Sequence, residues 1–352
     1  MHDLAFEWGG AERVLRCLAN LNPIAPVAVI AGDPALLAEN FPHRRRIILH
    51  RNLRSNLAVR MATPCLARTL PHKRLPFERL TVSSYAMARW LPSPNPRLIY
   101  CHAPMRQIWH GKSMYAGGHG AQAVALRLLG ETLRITDRSA SRREDVVVVP
   151  SERTGSLIKA TYGISPHSVV PPPVGDEVFQ RPLVDPEDYF IWCGRIVEPV
   201  KRLQLLLAAF ARCPGRRLVI VGDGRDRVRL ERAAPPNVRF AGWLKGHKLW
   251  DTMAKAKALL LPSMEDFGMV GAEALATGVP VFSTRQAGIA DWIRHGANGL
   301  VLEPTVESFT KALGCGCDGF ASRPEIRASA QHFTSSRYGS GMLSAAAALD
   351  WA

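Results

Sequence analysis

The chain is expected to fold as an α/β protein with two doubly wound, parallel-sheet domains. Three observations predict this. Short apolar runs alternate with helix-forming stretches, a rhythm that implies parallel strands joined by crossover helices. At 352 residues the chain is long for a single core. The rhythm also changes after Pro171–Pro172–Pro173, so the two halves are joined near residues 172–186. The expected domains are 1–175 and 176–335, with a helical tail over 336–352 packing back towards the first domain.

The elements follow in order. Residues 4–10 form a short segment ending in Gly9–Gly10. Ala11 to Asn20 reads as a helix, with Val14, Leu15, Cys17 and Leu18 on or near one face. Val27–Ile30 is a strand, 43–80 is basic and mixed, and Leu98–Cys101 is a strand ending at His102. Gly117–Gly118–His119–Gly120 breaks the chain before a helix over about 122–140. Val146–Val149 is a buried strand, Ser151 caps the helix that follows, and Ser168–Val170 is extended. In the second half, strands are expected at Tyr189–Trp192, Arg217–Val221, Val238–Phe240, 258–261, 279–283 and 299–302, with a helix over about 202–211.

Composition narrows the function classes. No apolar run approaches 18 residues, so no spanning helix is expected. Met1–His2–Asp3 has neither a basic nor an apolar leader character. Seven scattered cysteines without paired CxxC motifs suit a reduced, cytosolic protein with no zinc site. The net charge is +15 and unevenly spread. Residues 41–80 hold ten Lys or Arg, including Arg44–Arg45–Arg46 and Lys73–Arg74, against one acid, Glu78. Leu53, Leu57, Met61, Leu66 and Leu70 are interleaved with them. Such a segment suits an anionic membrane surface, a nucleic acid or simply a solvated face. Aromatic residues make up only 7% and do not interleave with the charges, so no nucleic acid is expected.

Two constellations carry chemistry. Glu265 and Glu273 flank Phe267–Gly268–Met269, between the apolar run Leu259–Leu261 and a helix ending near Gly278. Glu265 is expected in the loop and Glu273 in the early helical turns, both facing one pocket beside a helix N-terminus that suits an anion. Gly194–Arg195, with Lys201 six residues on, sits where a strand yields to a loop. Ligands bind at strand ends in open α/β sheets, and two cations there suit a diphosphate. Gly222–Asp223–Gly224 is a tight turn after a strand. No dinucleotide GxGxxG and no P-loop lysine follow it, so hydride transfer and P-loop phosphoryl transfer lack their signatures.

The ordered set Gly9–Gly10–Ala11–Glu12–Arg13, His102, Gly194–Arg195 with Lys201, Gly222–Asp223–Gly224, Glu265 with Glu273, and Asn298–Gly299 resembles the retaining GT-B glycosyltransferases of family 4 over nearly the whole chain. Tyr100–Cys101–His102–Ala103–Pro104–Met105–Arg106 with Trp109 looks like the O-antigen and exopolysaccharide mannosyltransferases within it. The resemblance implies two Rossmann-like domains facing a cleft, the first binding acceptor and the second a nucleotide-sugar. It implies that Arg195 and Lys201 neutralise the diphosphate leaving group, that Glu273 meets the ribose and Glu265 the donor sugar, and that the amides of Phe267, Gly268 and Met269 line the donor site. Gly9 and Gly10 would approach the diphosphate, Gly194, Gly222 and Gly224 would belong to the donor site, and His102 would reach the sugar. Without the resemblance His102 reads as a core histidine, Glu12–Arg13 reads as a surface ion pair, and Met105 and Trp109 read as packing residues rather than ligands. GDP-mannose is the expected donor and a lipid-linked glycan the expected acceptor, at the cytoplasmic face of the inner membrane. No Asp-x-Asp occurs, and no metal or other cofactor is expected. The alternatives are a nucleotide-sugar epimerase, a basic scaffold or nucleic-acid-binding protein, and an inactive, truncated transferase.

Two departures stand out. The family's first apolar strand, which would end at His2–Asp3, is expected to be missing. Its four or so apolar side chains would be worth about 6–12 kcal/mol, which points to a start upstream of Met1. Gln286–Ala287–Gly288 replaces a glycine-rich loop, and Asp291 stands in the place of a Glu.

Overall fold

A computed structural model describes residues 1–73, 75–110, 121–315 and 319–351. The Gly117–Gly120 break, Arg74 and Cys317 lie outside the described residues. The chain divides into two compact units, Met1–Pro171 with Tyr338–Ala352, and Pro172–Arg337.

Unit 1 is built on seven parallel strands: β1 (His2–Ala5), β2 (Val27–Gly32), β3 (Arg46–Ile48), β4 (Thr81–Ser84), β5 (Leu98–Cys101), β6 (Val146–Val149) and β7 (Ser168–Val169). Their spatial order is β3-β2-β1-β4-β5-β6-β7, so the winding reverses between β1 and β4. The expectation of a missing first strand is corrected here. β1 lies in mid-sheet, with His2 opposite Val29 on β2 and Ser83 on β4. Its polar residues are tolerated because they are hydrogen-bonded internally. The buried Asp3 carboxylate accepts from the amides of Tyr85 (2.6 Å), Ala86 (3.0 Å) and Ala88 (2.5 Å), and from Ser84 Oγ at 3.3 Å. It thereby holds the turn that leaves β4.

The helix Ser335–Ala347 seals one face of this sheet. Tyr338, Met342 and Ala345 pack with Val14, Leu98, Tyr100 and Val148. Tyr100 stacks edge-on with Tyr338, and its hydroxyl donates to the Val170 carbonyl at 2.9 Å. In the basic segment the helix Asn56–Thr69 turns Val59 and Leu66 inward and leaves Leu57 and Met61 more than 60% exposed. Leu70, just beyond it, is also buried, so only part of the interleaved apolar set reaches solvent.

Unit 2 carries six parallel strands: β8 (Phe190–Cys193), β9 (Leu218–Val221), β10 (Val238–Gly242), β11 (Leu259–Leu261), β12 (Val281–Thr284) and β13 (Gly299–Leu302). The order is β10-β9-β8-β11-β12-β13, reversing between β8 and β11. Both faces of this sheet are covered, as parallel sheets require. Phe190, Trp192, Ile220 and Phe282 join Leu206, Phe210 and Phe309 on one side. Ile191, Val219, Leu261 and Val281 join Ala272, Leu275 and Phe333 on the other. Side chains alternate across each strand, so continuous apolar runs serve two cores at once. Among the described residues no helix is long and apolar enough to cross a membrane.

Candidate active site

The candidate residues of unit 2 converge at the carboxyl ends of β8, β9 and β11. That is the crevice where the winding reverses, the usual ligand position in such sheets. Arg195 and Lys201 leave β8, Gly222 and Gly224 leave β9, and Glu265 leaves β11.

Hydrogen bonds tie these loops together. Lys201 Nζ donates to Glu265 Oε1, forming a largely buried ion pair. The Met264 amide donates to the Val200 carbonyl at 3.0 Å, and the Glu265 amide to the Gln286 carbonyl at 3.1 Å. The Arg202 guanidinium reaches both the Pro262 carbonyl and the Gln286 side chain. Gln286 thus braces the loop carrying Glu265. Glu198 accepts from the Leu203 and Gln204 amides and caps the helix Leu203–Ala211.

Gly222 has a steric reason. A Cβ there would lie 1.8 Å from the Gly194 carbonyl oxygen, so the β8 and β9 loops can touch only through a bare backbone. Gly268, at φ +99°, precedes the helix Met269–Ala276, and a Cβ would meet Leu261 at 3.0 Å. Phe267 sends its side chain into the core against Phe333 at 5.8 Å, while its carbonyl accepts from the Ile289 amide. Glu273 lies in the early turns of this helix, as expected, fifth of eight helical residues and 3% exposed. It lies close enough to Cys193 that burial first, and this carboxylate second, push the thiol well above its ordinary range.

Residues 187–315 match the family described as glycosyl transferases group 1. This span contains every candidate residue of unit 2. The chain is 36% identical over 127 residues to the lipopolysaccharide core biosynthesis glycosyltransferase LpsE of Rhizobium meliloti, covering 34% of this chain and 36% of that protein. It is 37% identical over 121 residues to a GDP-mannose-dependent alpha-mannosyltransferase of Mycolicibacterium smegmatis, covering 34% and 31%. The chain thus spans about a third of the length of these two relatives. The fold extends further than the sequence likeness. Anabaena Alr3699/HepE in complex with UDP superposes with a TM-score of 0.72 at 16% identity, over 99% of both chains. The fold is therefore GT-B.

The remaining candidates belong to unit 1. Gly9 and Gly10 follow β1 and open the helix Gly10–Asn20, and His102 follows β5. His102 is half-buried, with its ring 5.0 Å from Tyr100 and its Nε2 2.9 Å from Ser83 Oγ. Glu12 is no surface ion-pair residue. It is buried, and its carboxylate accepts from the Gly9 amide at 2.9 Å and faces His2. Burial works to raise this carboxyl, but the His2 imidazole and the Gly9 amide together hold it below the ordinary range. Trp109 is a packing residue fixed by polar contacts. Its indole donates to Asp137 at 2.6 Å, alongside Trp90 and Tyr162. Sequence reasoning missed His2 and Ser83. Their polarity inside a parallel sheet is the one signal that marks them.

Proposed function

We propose that the chain is a retaining glycosyltransferase of family 4, in the mannosyltransferase subgroup. Its donor is GDP-mannose and its acceptor a lipid-linked glycan in surface-polysaccharide synthesis. The observation that carries this reading is the Lys201–Glu265 pair at the β8/β11 reversal, inside the group 1 match. A lysine and a glutamate held together offer a cation for diphosphate and an acceptor for sugar hydroxyls within one small volume. Arg195 adds a second cation at the same strand end.

In this reading an acceptor hydroxyl oxygen attacks the anomeric carbon on the face the leaving group departs from. The bond to the diphosphate oxygen breaks, and that oxygen takes the hydroxyl proton. Arg195 and Lys201 stabilise the charge that grows on the diphosphate, an effect strongest when the donors are fixed beforehand. Glu265 orients the sugar, Glu273 meets the nucleotide ribose, and His102 serves the sugar.

Thermal-shift titration with GDP-mannose, UDP-glucose and ADP-glucose tests the donor. GDP-mannose at about 100 times its Kd is expected to stabilise the protein by about 2.7 kcal/mol. A shift only with UDP-glucose would replace the donor, and no shift with any nucleotide-sugar would overturn the reading.

Residues 41–80 supply the membrane contact in this proposal, placing the enzyme peripherally at the cytoplasmic side of the inner membrane. Leu57 and Met61, one helical turn apart, are exposed beside Arg54 and Arg68. The neighbouring helix Ala121–Ser139 exposes Leu128 and Ile135. Sedimentation with phosphatidylglycerol vesicles should pull the protein down at low salt. The double variant Leu57→Glu/Met61→Glu should stay in the supernatant. Equal pelleting of both proteins would exclude this surface.

A further inference from the structure

Four side chains of unit 1 form a chain of polar contacts that ends on His102. The Gly9 amide donates to Glu12 Oε2 at 2.9 Å. Glu12 Oε1 lies 3.6 Å from His2 Nε2. His2 Nδ1 is 3.0 Å from both the carbonyl oxygen and the Oγ of Ser83. Ser83 Oγ is 2.9 Å from His102 Nε2. Glu12, His2 and Ser83 are buried, on the first helix, β1 and β4 respectively.

Donor and acceptor counting fixes the protons. A carbonyl oxygen can only accept, so the Ser83 carbonyl requires a proton on His2 Nδ1. This holds whether the His2 ring is neutral or charged. The same N–H is directed at Ser83 Oγ, which therefore accepts from His2. The hydroxyl could accept a second time, but its own proton then has no acceptor among the described contacts, and donating it to His102 Nε2 is what satisfies it. In the neutral ring, Nε2 is thus an acceptor and the proton resides on Nδ1. Glu12 Oε1 faces His2 Nε2 from 3.6 Å, beyond hydrogen-bond reach, with a carboxylate that the Gly9 amide holds in place.

We propose that His2 and Ser83 are positioning residues that lock His102 in its Nδ1–H tautomer, the form that free imidazole in water disfavours. The ring is then committed to donating from Nδ1, which suits a sugar oxygen. The relay also connects the Gly9–Gly10 loop to His102, two features that are separate in the sequence. The tautomer follows from unit 1 alone, and only its use on a sugar rests on the function proposed above.

The test uses the full chain labelled with ¹⁵N-histidine, at about pH 8, above the ordinary histidine range. His102 is assigned by loss of its signals in His102→Gln. The expected spectrum has a protonated Nδ1 and an unprotonated Nε2. Ser83→Ala should move the proton to Nε2, and Ser83→Thr, which keeps the hydroxyl, should restore it to Nδ1. With GDP-mannose as donor, Ser83→Ala should lose about tenfold in kcat with KM little changed, and Ser83→Thr should recover it. A wild-type His102 with its proton on Nε2 overturns the proposal by itself, even if Ser83→Ala fails to fold. So does a tautomer that Ser83→Ala leaves in place. A correct tautomer with no transfer in the wild type would instead count against the function, leaving the relay intact.

Discussion

Glu265→Ala is expected to lower kcat/KM for sugar transfer by about 10²–10³-fold, the range for removing one preorganised polar group from a transition-state site. Two losses combine. The sugar loses a hydroxyl acceptor, and Lys201 loses the carboxylate that holds its ammonium in the crevice. Arg195→Ala should fall comparably, through the leaving group alone. The variants separate the roles: Glu265→Ala should weaken discrimination among donor sugars, whereas Arg195→Ala should weaken affinity for the nucleoside diphosphate itself. Steady-state kinetics with intact and hydrolysed donor distinguish them. Near wild-type rates in both variants would remove these residues from the site. The Glu265 loop is also held by its main chain, through Gln286 and Val200, so the fold should survive the substitution.

The largest effect on stability is expected at Asp3. Asp3→Ala leaves the amides of Tyr85, Ala86 and Ala88 without their carboxylate, inside a region with no solvent to replace it. A buried donor stranded in this way costs about 1–3 kcal/mol, so with partial relaxation the sum is about 3–5 kcal/mol. That is a large fraction of the roughly 5–15 kcal/mol that holds a typical domain together. Asp3→Asn keeps one acceptor oxygen and should lose about half as much. Urea unfolding followed by circular dichroism measures both. A shift equivalent to less than 1 kcal/mol in Asp3→Ala would show that the turn after β4 is held by other contacts.

The parts of the fold legible in the sequence were those whose burial is apolar. Val146–Val149, Leu98–Cys101 and Leu259–Leu261 read as strands because nothing but a covered sheet accommodates such runs. β1 and β4 escaped because His2, Asp3, Ser83 and Ser84 are polar, and their burial is compensated by hydrogen bonds rather than by hydrophobicity. That compensation is a property of the partner strand, which no local window contains. The site divides in the same way. Arg195 was legible where its strand gives way to a loop, Lys201 at the start of the next helix and Glu265 in the loop after its strand. The Lys201–Glu265 contact, the bracing by Gln286 and the Ser83 link to His102 join residues 19 to 84 positions apart and emerge only once the sheet order is known.

The placement of the last helix has a consequence for how the chain can be divided. Unit 2 is one uninterrupted stretch, Pro172 to Arg337, whereas unit 1 is discontinuous and closes with residues from Tyr338 onwards. In topological terms unit 2 is inserted into unit 1. A gene fragment ending at Pro171 would encode all seven strands of the first sheet yet leave Tyr100, Val148 and Val170 without the Tyr338 and Met342 side chains that cover them. Unit 2 can be excised by two cuts and remain whole, and unit 1 must be rejoined end to end.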